Sequence, residues 1–248
     1  MSPYFVPLAT PLPLLVAAII AFLNPGRCSK RVLVLAEASE LLALLIACCG
    51  LALLVHSGPN SSGVIGFPGI GLSCLLDAVS ITMLLLVSFI GWIVLRYSRT
   101  YLDGESRHGA FTGWLCITLA VVLLLVQAGN LVQLVAAWIG MSMSLRRLLL
   151  FYPERQAARR AERKKRLFSL IGAAALIAAA GLIAFSYGTT SVATINAAAR
   201  TGSASTLSLI AAGLLAFAAL LKSAQFPTHG WLTEVMEAPT PVSALLHA

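Results

Sequence analysis

Apolar runs of about twenty residues, the length that crosses the hydrocarbon of a bilayer, alternate along this chain with short polar connections. They predict transmembrane helices over about 6–23, 32–55, 72–95, 111–127, 131–150, 167–187 and 206–222, with an eighth beginning near Thr240. Pro7, Pro11 and Pro13 make the start of the first irregular. The connection over 56–73 is uncharged and rich in Gly, Ser and Pro, and a tight turn at 128–130 separates the fourth helix from the fifth. Pro153 to Arg166 is the strongly polar stretch, which reads as a solvated helix against anionic lipid. The connection over 189–205 is mildly polar and carries Arg200. The pattern gives an all-α polytopic membrane protein with about seven to eight transmembrane helices.

Composition agrees. Of 248 residues, 59% are hydrophobic and 10% charged, against roughly 25% charged in soluble domains. The formal charge of +8 would suit nucleic acid if clustered on a soluble face. Here the Lys and Arg residues sit in every second connection: Arg27, Lys30 and Arg31, then Arg96, Arg99 and Arg107, then Arg146 through Arg166. That is the positive-inside pattern. It predicts a lipid partner and no nucleic acid, an outside N-terminus, and a cytoplasmic position for the residues after Lys222. No Lys or Arg precedes Arg27, so a secretory leader with a positive start is not expected. Cys28, Cys48, Cys49, Cys74 and Cys116 show no metal-ligand spacing, and no metal site or cofactor is expected in this chain.

The candidate chemistry gathers at the end of the chain. Lys222 closes an apolar run, and a charge at membrane depth usually lines a protein interior or a wet path. Pro227 follows five residues on and frees the carbonyl of Ser223, and a broken helix at depth belongs beside protein or water. The same spacing also suits a lysine snorkelling to the headgroups. Pro239 and Pro241 extend the interruption. Thr240 reads as an N-cap with Pro241 in the first turn, and Ser243 and His247 then share one face. Histidine titrates near neutral pH and suits a relay. Glu37 and Glu40 share a face of the second helix, either sitting at headgroup depth and capping a positive loop or forming a buried relay. Asp77 lies near the start of the third helix, where it either complements the helix dipole or belongs to an ion path.

The ending KSAQFPTHGWLTEVMEAPTPVSALLHA resembles the central signature of proton-translocating antiporter-like membrane subunits. That superfamily includes the L subunit (chain 5) of NADH–quinone oxidoreductase, sodium/proton antiporter subunits and the membrane subunit of DAB-type inorganic-carbon complexes. MLLLVSFIGWIVLRYSRTYLDGE is similar to the third helix and following loop of these subunits, and the LLFYPER stretch ending at Arg155 is closer to the DAB type. The resemblance implies the first half of an antiporter-like inverted-repeat fold with a broken seventh helix. It divides the chain into helices 1–3 (1–110) and a truncated first repeat (111–248). It also implies a proton or sodium path through Lys222 and His247. An unpaired lysine in low dielectric tends to lose its proton, so Lys222 either is neutral part of the time or pairs with Asp77, Glu234 or Glu237.

Two departures from the family matter. The respiratory L subunit carries a glutamate directly after a fifth-helix tryptophan, whereas Trp138 is followed here by Ile139, and no acid occurs from Ala128 to Pro153. The sixth-helix Gly-Asp is here Gly172-Ala173. Both favour the DAB-type reading, in which a large peripheral, zinc-binding, carbonic-anhydrase-like subunit is the partner and holds the zinc. The alternative is a proton-pumping respiratory subunit, and the chain by itself is expected to be no enzyme. The expected location is a bacterial inner membrane. The eight residues from Pro241 rise only ~12 Å, so the chain reads as the N-terminal part of a longer subunit.

Overall fold

The computed structural model describes residues 3–26, 29–67, 69–202, 205–223, 225, 230 and 238–247. Prolines spoil the start of the first apolar run as expected: two 3-10 turns, Pro3–Phe5 and Pro7–Ala9, precede helix α1 (Pro11–Leu23). There follow α2 (Lys30–Ser57), α3 (Ala78–Tyr101), α4 (His108–Val126), α5 (Leu131–Leu149), α6 (Gln156–Tyr187), α7 (Val192–Thr201), α8 (Thr206–Lys222) and α9 (Thr240–His247). Among the described residues, five segments are long and apolar enough to cross a membrane: Pro3–Leu23, α2, α3, α4 and α6. Helix α8, with 17 residues, is apolar but shorter.

The bundle is built around α4. Phe111, Leu115, Leu119 and Leu123 of this helix are fully buried, together with Leu14 of α1 and Leu84 of α3. Helix α1 packs on α4, α2 on α3, α4 on α5, α5 on α6, and α6 on α8. The α6–α8 contact is lined by small residues. Gly172 faces Leu221 across the seam, where a Cβ would make ordinary contact at 3.7 Å, and Ala175, Ala179, Ala211 and Ala218 are buried along it. Small residues allow the close backbone approach that drives helix association in lipid. Large apolar side chains such as Ile19, Leu45, Phe185 and Leu209 remain exposed, as expected of a surface meeting lipid.

Three boundaries differ from the sequence expectation. Residues expected to open the third helix are extended instead: β1 (Asn60–Ser61) pairs antiparallel with β2 (Leu75–Leu76), in register Asn60 with Leu76. Helix α3 therefore starts only at Ala78. The polar stretch after Pro153 and the sixth span form one continuous 32-residue helix. The connection expected over 189–205 contains α7, capped by Ser191, whose hydroxyl accepts from Thr194 N–H.

The two ends of the bundle are held by different chemistry. At the end away from the basic residues, neutral hydrogen bonds join distant connections. Ser73 N–H donates to Gln133 Oε1 at 2.8 Å, Asn130 Nδ2 donates to the Gly71 carbonyl at 2.7 Å, and Thr190 Oγ1 donates to the Gly69 carbonyl at 3.0 Å. At the basic end, ion pairs do this work: Arg99 with Glu37, and Arg146 with Glu162.

Candidate functional site

Helix α8 ends on Lys222, and its side chain turns inward onto α5. The ammonium donates to Ser142 Oγ at 2.9 Å and stands 4.8 Å above the centroid of the Trp138 ring. Trp138 and Ser142 are one helical turn apart, so both fall on the face of α5 that looks toward α8. Ser142 in turn donates to the Trp138 carbonyl at 3.0 Å. Lys222 thus has a hydroxyl and an aromatic face as partners, and among the described residues no carboxylate lies within ion-pair distance of it.

A cavity of about 220 Å³ opens beside the ammonium, walled by Trp138, Met141, Lys165, Phe168, Lys222 and Leu245. A second, of about 210 Å³, lies between α5 and α6 and is bounded by Ser142, Arg146, Glu162 and Lys165. Lys165 borders both. Its helix face explains why: Ala158, Ala161, Glu162 and Lys165 follow the i, i+3, i+4, i+7 spacing of a buried stripe, and all four are buried. Glu162 pairs with Arg146 of α5. The arrangement runs from a buried ammonium, through a hydroxyl and a second lysine, to an ion pair whose arginine is 44% exposed.

Sequence reasoning singled out Lys222 and missed Ser142, Glu162 and Lys165. The last two sit inside a charged run that reads as wholly solvated, and only the alanines at 158 and 161 mark its inward face.

The other expected residues lie elsewhere or outside the described residues. Asp77 is the N-cap of α3. Its Oδ1 accepts from Ser80 N–H at 2.7 Å, and Ser80 Oγ accepts from Asp77 N–H at 2.9 Å. This is a reciprocal capping box, and no ion pair joins it to Lys222. Pro227, Glu234 and Glu237 lie outside the described residues. Helix α8 stops at Lys222, with Ser223 N–H still bonded to the Ala219 carbonyl. Helix α9 starts one residue differently from expectation. The Pro239 carbonyl accepts from Val242 N–H at 2.8 Å, so Pro239 rather than Thr240 holds the capping position. Pro241 then lies within the first turn, where an N–H has no intrahelical acceptor anyway. The backbone of His247 ends α9, and its side chain is outside the described set. Leu245 and Leu246 of the same helix line the Lys222 cavity.

The two glutamates of α2 have separate fates. Glu37 Oε2 accepts from Arg99 at 2.9 Å, with Arg96 3.9 Å from its other oxygen. Glu40 is fully buried between α2, α3 and α4.

Comparison with known proteins gives consistent findings. A family model described as "NADH:quinone oxidoreductase/Mrp antiporter, TM" matches residues 128–248, and one described as "NADH-Ubiquinone oxidoreductase (complex I), chain 5 N-terminus" matches residues 66–112. The chain is 44% identical over 176 residues to "Probable inorganic carbon transporter subunit DabB" of Hydrogenovibrio crunogenus, covering 70% of this chain and 34% of that one. It is 35% identical over 173 residues to NADH-quinone oxidoreductase subunit L of Mycobacterium tuberculosis, covering 70% of this chain and 27% of the relative. Among solved structures, a chain of the Mrp complex from Dietzia sp. superposes with a TM-score of 0.78 at 28% identity, over 96% of this chain and 26% of that one. The chain thus spans about a third or less of the length of these relatives.

Proposed function

Because the chain belongs to the NADH:quinone oxidoreductase/Mrp antiporter family, we propose that it forms part of the ion-translocating membrane subunit of a DAB-type inorganic-carbon complex. In this reading Lys222 takes up and releases the transported proton. The observation that carries it is the setting of Lys222 on α5: a hydroxyl at 2.9 Å, the Trp138 ring, and no carboxylate among the described residues. Where the respiratory L subunit is expected to place an acid after its tryptophan, this chain has Ile139.

The chemistry follows from the geometry. As an ammonium, Lys222 donates to Ser142, whose own proton points to the Trp138 carbonyl. As a neutral amine it accepts from the same hydroxyl after a rotation about one bond. Ser142 therefore serves both states, and among the described residues no counter-charge holds the proton in place. Lys165, on the shared cavity wall, links Lys222 to the Glu162–Arg146 pair at the basic end. His247 is proposed to take the proton onward. A large peripheral, zinc-binding, carbonic-anhydrase-like subunit is the proposed partner and supplies the carbon chemistry. The subunit would lie in a bacterial inner membrane, with its N-terminus outside and its basic end cytoplasmic.

The test is growth in air of a carbonic-anhydrase-deficient strain carrying the full-length gene and its neighbour. Lys222→Ala is expected to abolish rescue. Rescue equal to wild type would remove the proton role. The second reading, a proton-pumping subunit of a respiratory NADH–quinone oxidoreductase, is favoured by the 35% identity to subunit L. Co-purification with quinone-reducing subunits would select it, and co-purification with one large soluble zinc protein would select the first.

A further inference from the structure

Both carboxyl oxygens of Glu40, Ser88 Oγ and Trp92 Nε1 are buried with no hydrogen-bond partner among the described residues. Buried polar groups are paired in the great majority of cases, and a group that is not calls for a function or an internal water. On α3, Ser88 and Trp92 flank the glycine against which the Glu40 carboxyl lies. Ser88, Gly91 and Trp92 follow i, i+3, i+4 and share one face of α3. Gly91 makes the space that the Glu40 carboxyl fills: a Cβ there would come 2.6 Å from Oε1 and 3.1 Å from Cδ. Leu119 of α4 closes the far side.

We propose that Glu40, flanked by Ser88 and Trp92, is a buried proton-binding site of this bundle, distinct from Lys222 and reached along the Glu37–Arg99 pair. The access follows from the helix repeat and the arginines. Glu37 lies one turn from Glu40 toward the basic end of α2, bonded to Arg99, and Arg96 stands 5.7 Å over the Trp92 ring with 63% of its side chain exposed. Arg96 thus stands one turn from Trp92 on α3, and Glu37 one turn from Glu40 on α2.

The donor set selects a proton over a metal cation. An indole N–H is a donor only, so Trp92 can satisfy a carboxylate but cannot ligate sodium. No direct hydrogen bond joins Glu40 to Trp92 or Ser88, so a carboxylate at Glu40 accepts from an internal water that Trp92 N–H or Ser88 O–H also contacts, and a carboxylic acid there donates to that water. Only an O–H bond forms or breaks, and nothing is oxidised or reduced.

The titratable and charged groups that face the site are few. Among the described residues, α2 brings Glu37, α3 brings Arg96 and Arg99, and α4 brings the buried thiol of Cys116. Helix α1 has no titratable residue. Helix α9, which packs on α3, ends on His247, whose side chain is outside the described residues.

Dicyclohexylcarbodiimide adds to protonated carboxyls in apolar surroundings, and mass spectrometry locates the adduct. The full-length protein in vesicles is treated across a pH series, with and without sodium chloride. We expect an adduct on Glu40 that declines as pH rises, that is indifferent to sodium, that persists in Lys222→Ala and that vanishes in Glu40→Gln. Persistence in Lys222→Ala keeps this outcome separate from the fate of the Lys222 assignment. No adduct on Glu40 at any pH overturns the proposal. An adduct that does not vary with pH overturns it in favour of a permanently protonated structural acid. Protection by sodium overturns it in favour of a metal-cation site.

Discussion

Lys165 of α6 and Lys222 of α8 border one cavity, with Trp138 of α5 and Leu245 of α9 completing its wall. Two ammonium groups on one low-dielectric cavity repel, so charging one disfavours charging the other. A pair of this kind passes a proton more readily than it holds two. Lys165→Met is therefore expected to slow proton flux through vesicles of the full-length protein by about tenfold or more, an effect of ~1.4 kcal/mol, while Lys165→Arg retains part of it. Flux unchanged in Lys165→Met would make Lys165 a bystander.

Ser142 is the acceptor for Lys222 at 2.9 Å. A hydrogen bond to a charged group contributes ~1.5–3 kcal/mol, and Ser142→Ala removes it without adding bulk. Flux is expected to fall by about an order of magnitude, and Ser142→Thr, which keeps the hydroxyl, is expected to stay near wild type. The comparison of the two variants in one vesicle assay separates the hydroxyl from the space it fills.

The Arg146–Glu162 pair is asymmetric, with 44% of the arginine side chain exposed but only 8% of the glutamate. Removing Glu162 leaves an arginine that water can reach. Removing Arg146 leaves a buried carboxylate, and breaking a buried pair in that sense costs up to ~3–5 kcal/mol. Thermal unfolding in detergent is expected to show a clearly larger loss for Arg146→Ala than for Glu162→Gln. The reverse order would mean that Glu162 has another partner.

Asp77 is expected to matter for stability and not for transport. Losing an N-cap costs ~0.5–2 kcal/mol. Asp77→Ala should lower the unfolding midpoint, while Asp77→Asn, which can still accept from Ser80 N–H, should preserve both midpoint and flux. Loss of flux in Asp77→Asn at an unchanged midpoint would return Asp77 to the ion path.

At the basic surface, Glu105 lies in the α3–α4 connection. Burial opposes its ionisation, but hydrogen bonds from the Tyr152 hydroxyl and from Ser106, with the Arg107 backbone, outweigh that and lower its carboxyl below the usual range. A depressed carboxyl contributes stability above its unfolded value and loses it as pH falls through the folded value. Wild type should therefore lose stability on acidification below about pH 4.5 more steeply than Glu105→Gln. Parallel pH profiles of the two unfolding midpoints would contradict this.

Much of the fold was legible because lipid imposes one rule, that backbone polar groups pair within each segment. Apolar run length alone located α1, α2, α4, α5 and α8 closely. It failed where other pairing competes. Leu72 to Leu76 are as apolar as a helix start, but Ile65, β1 and Ala128 offer Leu72, Leu75–Leu76 and Cys74 extended partners, and Asp77 caps the helix behind them. Helix α7 was hidden because ten mildly polar residues carry no membrane signal. At the site, Lys222 was legible as a charge at the end of an apolar run. Lys165 and Glu162 were not, since burial within a charged run depends on which face α5 covers, and composition is blind to that. Glu37 and Glu40 looked equivalent, but Arg99 and Arg96 pair the first at the surface, while the absence of a side chain at Gly91 makes room for the second.

The account turns on Lys222 as the group that carries the proton. Its most direct test is pH-gradient-driven proton flux in proteoliposomes of the full-length protein with its partner, comparing wild type with Lys222→Ala. The account predicts flux at the level of empty liposomes for the variant, at an unchanged unfolding midpoint. Flux equal to wild type would contradict it.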